Sequence, residues 1–283
     1  MSNFTQRLVE VDGQRLNVAE GPRSGPTLWL FHGLSRRWQD FGPLFADLSA
    51  RWTVFACDHR GHGRSDRAPS YRVAEYVSDA TALASKLSEP SILVGHSLGG
   101  LVALGVAAAL RDGVDGVVLL DPPGPEFLSR IDSTPYGTIW DAMRKLAGRK
   151  EVSAVAKELA ELRVPSAKPG ETVRFGNLRD AAALRFMANC LRDLDGEVLT
   201  PPLEKQWLVG FDLFATAKQV KCPVLLVVAD LAQGGVLPPA EANPLVAALP
   251  DCTRVDLPGV GHLVQWQDTP ATLRLLHSFL GSL

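Results

Sequence analysis

Cysteine is scarce in this chain: Cys57, Cys190, Cys222 and Cys252 are the only four in 283 residues. They share no metal-ligand spacing, which argues against a cysteine-based zinc site, and they are too few for a disulfide scaffold. The stretch from Met1 to Glu10 lacks the apolar core of a secretory leader, so the thiols are expected to be reduced and the protein cytoplasmic. Excess charge is missing too. Lys+Arg 29 nearly cancels Asp+Glu 31, leaving a net charge of −2. That balance offers no electrostatic reason to expect nucleic acid or an anionic membrane as a partner. Internal repeats and low-complexity segments are absent. With 46% hydrophobic and 21% charged residues, the composition excludes intrinsic disorder and collagen-like structure. Surface scaling for a chain of this size gives roughly 11,800 Å² exposed from roughly 44,000 Å² unfolded, which is ample for a large core without staples. Length allows one large α/β domain or two modest ones.

Long uncharged runs are also rare, with one exception. Ser91 to Leu110 carries no formally charged side chain and is long enough to span a bilayer. Its interior reads Gly95-His96-Ser97-Leu98-Gly99-Gly100, which suits a strand, a sharp turn and a buried helix better than one continuous helix. A membrane span is therefore not expected.

What is present is a strand–helix rhythm. Leu8, Val9 and Val11 precede the turn dipeptide Asp12-Gly13, and Leu16 and Val18 alternate with polar residues after it, as in a hairpin. Short apolar runs then mark strands buried on both faces: Leu28–Phe31, Val54–Cys57, Ile92–Val94, Val117–Leu120 and Val224–Ala229. Arg254–Leu257 is more alternating. Helical patterns over Phe41–Ala50, Val73–Leu87, Leu98–Leu110 and Ala271–Leu280 separate most of them, which predicts a mostly parallel sheet flanked by helices. Between Asp121 and Lys221 the rhythm breaks, and no strand is evident there. Ile139, Met143, Leu146 and Ala147, then Val152, Val155, Ala156, Leu159 and Leu162, recur at helical spacing, as do Leu184, Met187, Ala188, Leu191 and Leu194. Proline clusters bracket this part. It reads as a helical cap over 122–220, inserted into a core of 1–121 and 221–283.

Gly95-His96-Ser97-Leu98-Gly99 fits G-x-S-x-G, in which a strand turns abruptly into a helix and leaves the serine at the strand's carboxyl end. Small residues on either side let the backbone pass without clash. Serine needs a base. Of six histidines, His262 is favoured, in Gly259-Val260-Gly261-His262 just past a strand, whereas His277 falls within the last helix. His59 and His62 flank Asp58-His59-Arg60-Gly61-His62-Gly63. No acid or cysteine set accompanies them for a metal, and the loop lacks the third glycine of a dinucleotide fingerprint. An oxyanion needs two backbone donors. Leu98, following the serine at a helix start, supplies one, and Leu34 in Phe31-His32-Gly33-Leu34 is chosen for the other.

Together these residues resemble the α/β-hydrolase fold family over nearly the whole chain. The points of likeness are His32-Gly33 after the third strand, Asp58 with the Gly61/Gly63/Ser65 loop, the Ser97 elbow, a helical cap and Gly261-His262 near the end. The chain order serine, acid, histidine is also the family's. The resemblance implies an eight-stranded sheet with an active site beneath the cap. Family members usually carry the acid a few residues past the seventh strand. Here that stretch offers only Asp230, earlier than usual, and Asp121 after the sixth strand is the rival. Asp230 is favoured, with the ordinary role of each as a strand-end aspartate left open.

The expected reaction is acyl transfer to water on a small, apolar carboxylic ester or lactone, with no metal or organic cofactor and a small-molecule substrate as partner, the oligomeric state left open. A C–C hydrolase of diketone-like substrates and a ligand-binding protein with vestigial turnover remain as alternatives. Trp140, Met143, Phe186, Met187 and Trp207 suit the wall of an apolar pocket, but also the packing of cap helices onto the core. Arg36 and Arg37 suit a substrate carboxylate, although solvated surface charge is the expected state.

Overall fold

The computed structural model describes residues 4–87, 89–166 and 170–283, so expectations touching 1–3, 88 and 167–169 fall, for those residues, outside the description. The opening hairpin forms as β1 (Thr5–Val11) and β2 (Gln14–Glu20), paired antiparallel. Asp12 and Gly13 take φ of 48° and 79°, the left-handed pair whose twist matches a tight two-residue connection. The chain then lays down β3 (Thr27–Phe31), β4 (Thr53–Cys57), β5 (Ser91–His96) and β6 (Val114–Leu120). A short antiparallel pair follows, β7 (Arg163–Pro165) with β8 (Thr172–Arg174), before β9 (Val224–Ala229) and β10 (Cys252–Leu257) complete the main sheet. The eight-stranded order is β1-β2-β4-β3-β5-β6-β9-β10. Every pairing from β4 to β10 is parallel.

Strand periodicity explains the layering. In β3, Leu28 and Leu30 face one core while Trp29 and Phe31 face the other, and β9 divides in the same way. Both faces are dry, which is why these strands read as unbroken apolar runs. The helix Leu98–Leu110 is buried all round through Ala107, between the sheet and the helix Val73–Ala84. That accounts for the uncharged Ser91–Leu110 run without a membrane. Among the described residues no helix is long and apolar enough to cross one.

Three helices carry the periodic patterns between β6 and β9: Pro135–Leu146, Val152–Glu161 and Ala181–Arg192. Their buried residues belong to the same apolar cluster as one face of the sheet. The pair β7/β8 corrects the expectation of no strand in this part. It is three residues a side, too short for alternation to register. The helix expected over Phe41–Ala50 is also corrected. A 3-10 stretch, Trp38–Leu44, holds Pro43, and α-helix covers only Phe45–Leu48. Proline lacks the N–H that regular helix requires.

Candidate active site

β5 and β6 lie side by side with His96 opposite Leu120, so the residues after them emerge together at the carboxyl edge. The Ser97 N–H donates to Leu120 O (2.9 Å), and the Asp121 N–H to Val227 O (2.8 Å). Both residues have left-handed backbone, Ser97 at φ 56° and Asp121 at φ 46°. Such positions cost about 1–3 kcal/mol for residues other than glycine and persist where the surroundings over-determine them. Here the surroundings are tight. A Cβ at Gly95 would collide with Gly99 O, and one at Gly99 with Phe31 O. Ser97 is therefore on the turn itself, directly before the helix Leu98–Leu110.

His262 arrives on the loop after β10. Its Nδ1 lies 2.7 Å from Asp121 Oδ2, so Nδ1–H donates to the carboxylate and Nε2 is left free to accept a proton. Asp121 is fully buried, and it also accepts from Ala229 N (3.2 Å) and Val236 N (3.0 Å). The choice of Asp230 is thus corrected. Its two oxygens accept from Ala232 N and Gly259 N, each at 2.8 Å, and it pins the loop leading to His262 instead of touching the imidazole. Burial pushes His262 below its usual 6.5, against its hydrogen bond to Asp121, which favours the charged form. On the other side, His96 Nε2–H donates to His262 O (2.8 Å), and the two rings stand 4.7 Å apart. The imidazole is thereby held against the residue preceding Ser97.

The segment after β3 passes close over the serine. A Cβ at Gly33 would stand 3.2 Å from Ser97 Cβ and 3.0 Å from His96 Nδ1. The Ser35 N–H is taken by His62 Nε2 (3.1 Å) and the Arg36 N–H by Gly33 O (3.2 Å). The Leu34 N–H, just before these two, has no acceptor among the described residues. Leu98 is the first residue of its helix, where N–H groups have no intrahelical acceptor and the macrodipole favours negative charge.

Behind this edge sits a polar knot absent from the sequence reading. Fully buried Asp40 accepts from Arg36 Nε (2.6 Å), Gln265 Nε2 (3.0 Å) and Trp266 Nε1 (3.1 Å), with His96 Nδ1 at 3.6 Å. Burial alone would raise this carboxyl, but Arg36 and His96 carry it well below the usual range. Arg36 is consequently buried and ion-paired, which corrects the solvated state expected for it. Arg37 reaches Asp193 at 3.8 Å.

The five residues expected to wall a pocket divide. Met143 accepts from Ser35 Oγ (3.5 Å), beside Leu34. Trp140 packs on Tyr136, whose ring stands edge-on to His262 at 5.7 Å. Phe186 lies beneath the Arg36 guanidinium at 4.8 Å and against Trp266 at 5.3 Å. Trp207 is a core residue against Trp140, its carbonyl accepting from Val73 N, and Met187 is buried in the same apolar cluster. Tyr136 is in helical phase with Ile139 and Met143 but sits at the first turn, ahead of the aliphatic run that marks the helix, and the sequence reading begins at Ile139. Among the described residues no group of three or more His, Cys, Asp or Glu is arranged to hold a metal ion. His32, His59 and His62 instead pack against one another with tilted or edge-on rings, His32 and His59 4.4 Å apart.

Comparison with known proteins bears on the fold. A family model described as alpha/beta hydrolase fold matches residues 26–269. The chain is 31% identical to 2-(acetamidomethylene)succinate hydrolase of Mesorhizobium japonicum, covering 98% of this chain and 96% of that protein. It is 24% identical to esterase YbfF of Escherichia coli, over 94% and 97%. The crystal structure of E-2-(acetamidomethylene)succinate hydrolase superposes with a TM-score of 0.77 at 26% identity, covering 99% of this chain and all of that one.

Proposed function

The chain belongs to the α/β-hydrolase fold family, and on that premise we propose that it hydrolyses a carbonyl substrate through a serine acyl-enzyme. The observation that carries the reading is the buried Asp121–His262 hydrogen bond beside the strained turn that presents Ser97. Ser97 Oγ attacks the carbonyl carbon while His262 Nε2 takes the hydroxyl proton. The tetrahedral oxyanion is received by the N–H groups of Leu34 and Leu98. One such donor is worth about 3–4 kcal/mol in comparable sites. His262 then gives its proton to the leaving group, and a water deprotonated by the same nitrogen releases the acid. Asp121 fixes the tautomer and balances the imidazolium.

Ester and amide bonds both suit this machinery, since both present a carbonyl carbon and a leaving group that needs a proton. The kinship to a hydrolase of an acetamidomethylene compound and to an esterase supports that breadth. The intact His–Asp pair favours turnover over a role in ligand binding alone. The test is hydrolysis of p-nitrophenyl esters by wild type, Asp121→Asn and Asp230→Asn. Loss of tautomer control costs about 10⁴ in turnover in the analogous protease triad, so Asp121→Asn should collapse while Asp230→Asn keeps most activity. The reverse pattern would overturn the assignment.

A further inference from the structure

Residues 33–36 form a turn closed by the Arg36 N–H, which donates to Gly33 O (3.2 Å). His32 Nδ1–H donates to the same carbonyl (2.8 Å). Because the peptide is planar, holding Gly33 O also sets the direction of the Leu34 N–H. Ser35, third in the turn, has φ of 59°, the left-handed backbone that a type II turn requires and that favours glycine there. Serine at that place is expected to relax to a type I turn. In that form the peptide between Leu34 and Ser35 is turned over and φ of Ser35 is negative. The strained form needs a contact that holds it.

That contact is His62. Its Nε2 accepts from the Ser35 N–H (3.1 Å), which belongs to the peptide that would turn over. Turned over, the peptide would set Leu34 O against the same lone pair. His62 cannot answer by changing tautomer, because its Nδ1–H donates to Arg60 O (2.9 Å). Arg60 is itself held by Asp79 through two bonds of 2.6 Å each. The ring is fully buried, 5.1 Å from His32 and 6.1 Å from Tyr76. Burial lowers it to about 4, so Nε2 is an unprotonated acceptor at neutral pH.

We propose that His62 is a positioning residue for the reaction: by accepting the Ser35 N–H it holds the turn 33–36 in its strained form, and so keeps the Leu34 N–H in one place on the segment that passes over Ser97. The inference deepens the hydrolase reading and rests on it. An oxyanion donor must stand about 2.7–3.1 Å from the developing charge. A turn exchanging between two forms does not hold that distance.

The test is steady-state hydrolysis of p-nitrophenyl butyrate by three variants. His62→Met fills the space without an acceptor for the Ser35 N–H, and kcat should fall by about tenfold or more with KM little changed. His62→Gln places an amide oxygen at the reach of Nε2 and should keep most of kcat. Adding Ser35→Gly to His62→Met should restore much of the loss, because glycine adopts positive φ without strain. A packing defect would respond to neither change. Unchanged kcat in His62→Met, or a loss repaired neither by Gln nor by Ser35→Gly, would overturn the proposal. A second measurement needs no variant. Amide hydrogen exchange of the wild type, followed by NMR, should find the Ser35 N–H protected and the Leu34 N–H open. Addition of n-butylboronic acid, whose tetrahedral adduct with Ser97 offers an oxygen to the oxyanion donors, should protect Leu34 and leave Ser35 as it was. Ser35 exchanging as fast as Leu34 in the unliganded protein contradicts the proposal, even where His62→Met fails to fold. If wild type neither cleaves the ester nor binds the boronic acid, the acyl-enzyme reading fails and the role of His62 falls with it. If wild type does both, a contrary result from the His62 variants or from Ser35 exchange removes the role of His62 alone.

Discussion

Ser97 and Asp121 are both held with positive φ at the ends of adjacent parallel strands. At the residue scale this shared strain serves one geometry, because Asp121 reaches His262 from one of the two neighbouring turns and Ser97 stands on the other. The imidazole's lowered pKa has a consequence for rate. His262 acts as a base only when neutral, and burial keeps it neutral to lower pH than a free imidazole. The acid limb of kcat/KM should therefore have its midpoint below 6.5, with a plateau at neutral pH. A pH–rate profile with a midpoint above 7 would contradict this. The two candidate aspartates differ in a way that residue type does not encode. Asp121 and Asp230 both follow apolar strands and both accept loop N–H groups. Which one meets His262 depends on how the loop 230–236 closes over Asp121, and that is settled by packing.

At the scale of elements, the elbow and the knot at Asp40 are the two devices that locate the site. The elbow depends on close backbone approach, so Gly99→Ala should fail to fold or unfold at much lower temperature, its Cβ having no space beside Phe31 O. Circular dichroism melting measures this; a melting curve like that of wild type would show that the turn is not so confined. Asp40 joins three segments, those of Arg36, His96 and Gln265-Trp266. Asp40→Asn leaves Arg36 buried without its counter-ion, which should destabilise by about 3–5 kcal/mol, read by urea denaturation, and should lower turnover because His262 lies between two of those segments. The elbow was legible from sequence, since glycine spacing and flanking apolar runs are local signals. The knot was not. Asp40 reaches Gln265 across 225 positions, and no local pattern announces such a pairing. Arg36 looked like surface charge for the same reason. The sheet was legible because strands dry on both faces are uniformly apolar; β7 and β8 were not, being too short to carry a period.

For the whole molecule, the three clustered histidines beside the site link stability to pH. His32 and His62 accept backbone N–H groups on Nε2, from His59 and Ser35, and donate from Nδ1 to backbone carbonyls. Protonation removes the acceptor. Burial, with repulsion among the rings, lowers His59 to about 3 and His32 well below 6.5, and burial lowers His62 to about 4. Folded values below the unfolded 6.5 mean that stability is fully present above 6.5 and is lost as pH falls toward about 4 and about 3. Urea midpoints should therefore fall progressively below pH 6.5, and more gently in a His59→Phe variant. A midpoint constant from pH 7 to 4.5 would contradict the linkage. Because this cluster, the Asp40 knot and the Ser97 turn all touch the segment after β3, acid should impair the site as it loosens the fold.

The central claim is that Ser97 is an activated nucleophile, and covalent capture tests it most directly. Treatment with a fluorophosphonate followed by peptide mass spectrometry should place one adduct on Ser97. That adduct should be absent in Ser97→Ala and form far more slowly in His262→Ala. Folded wild-type protein that takes up no label at Ser97, or is labelled equally fast without His262, would contradict the account.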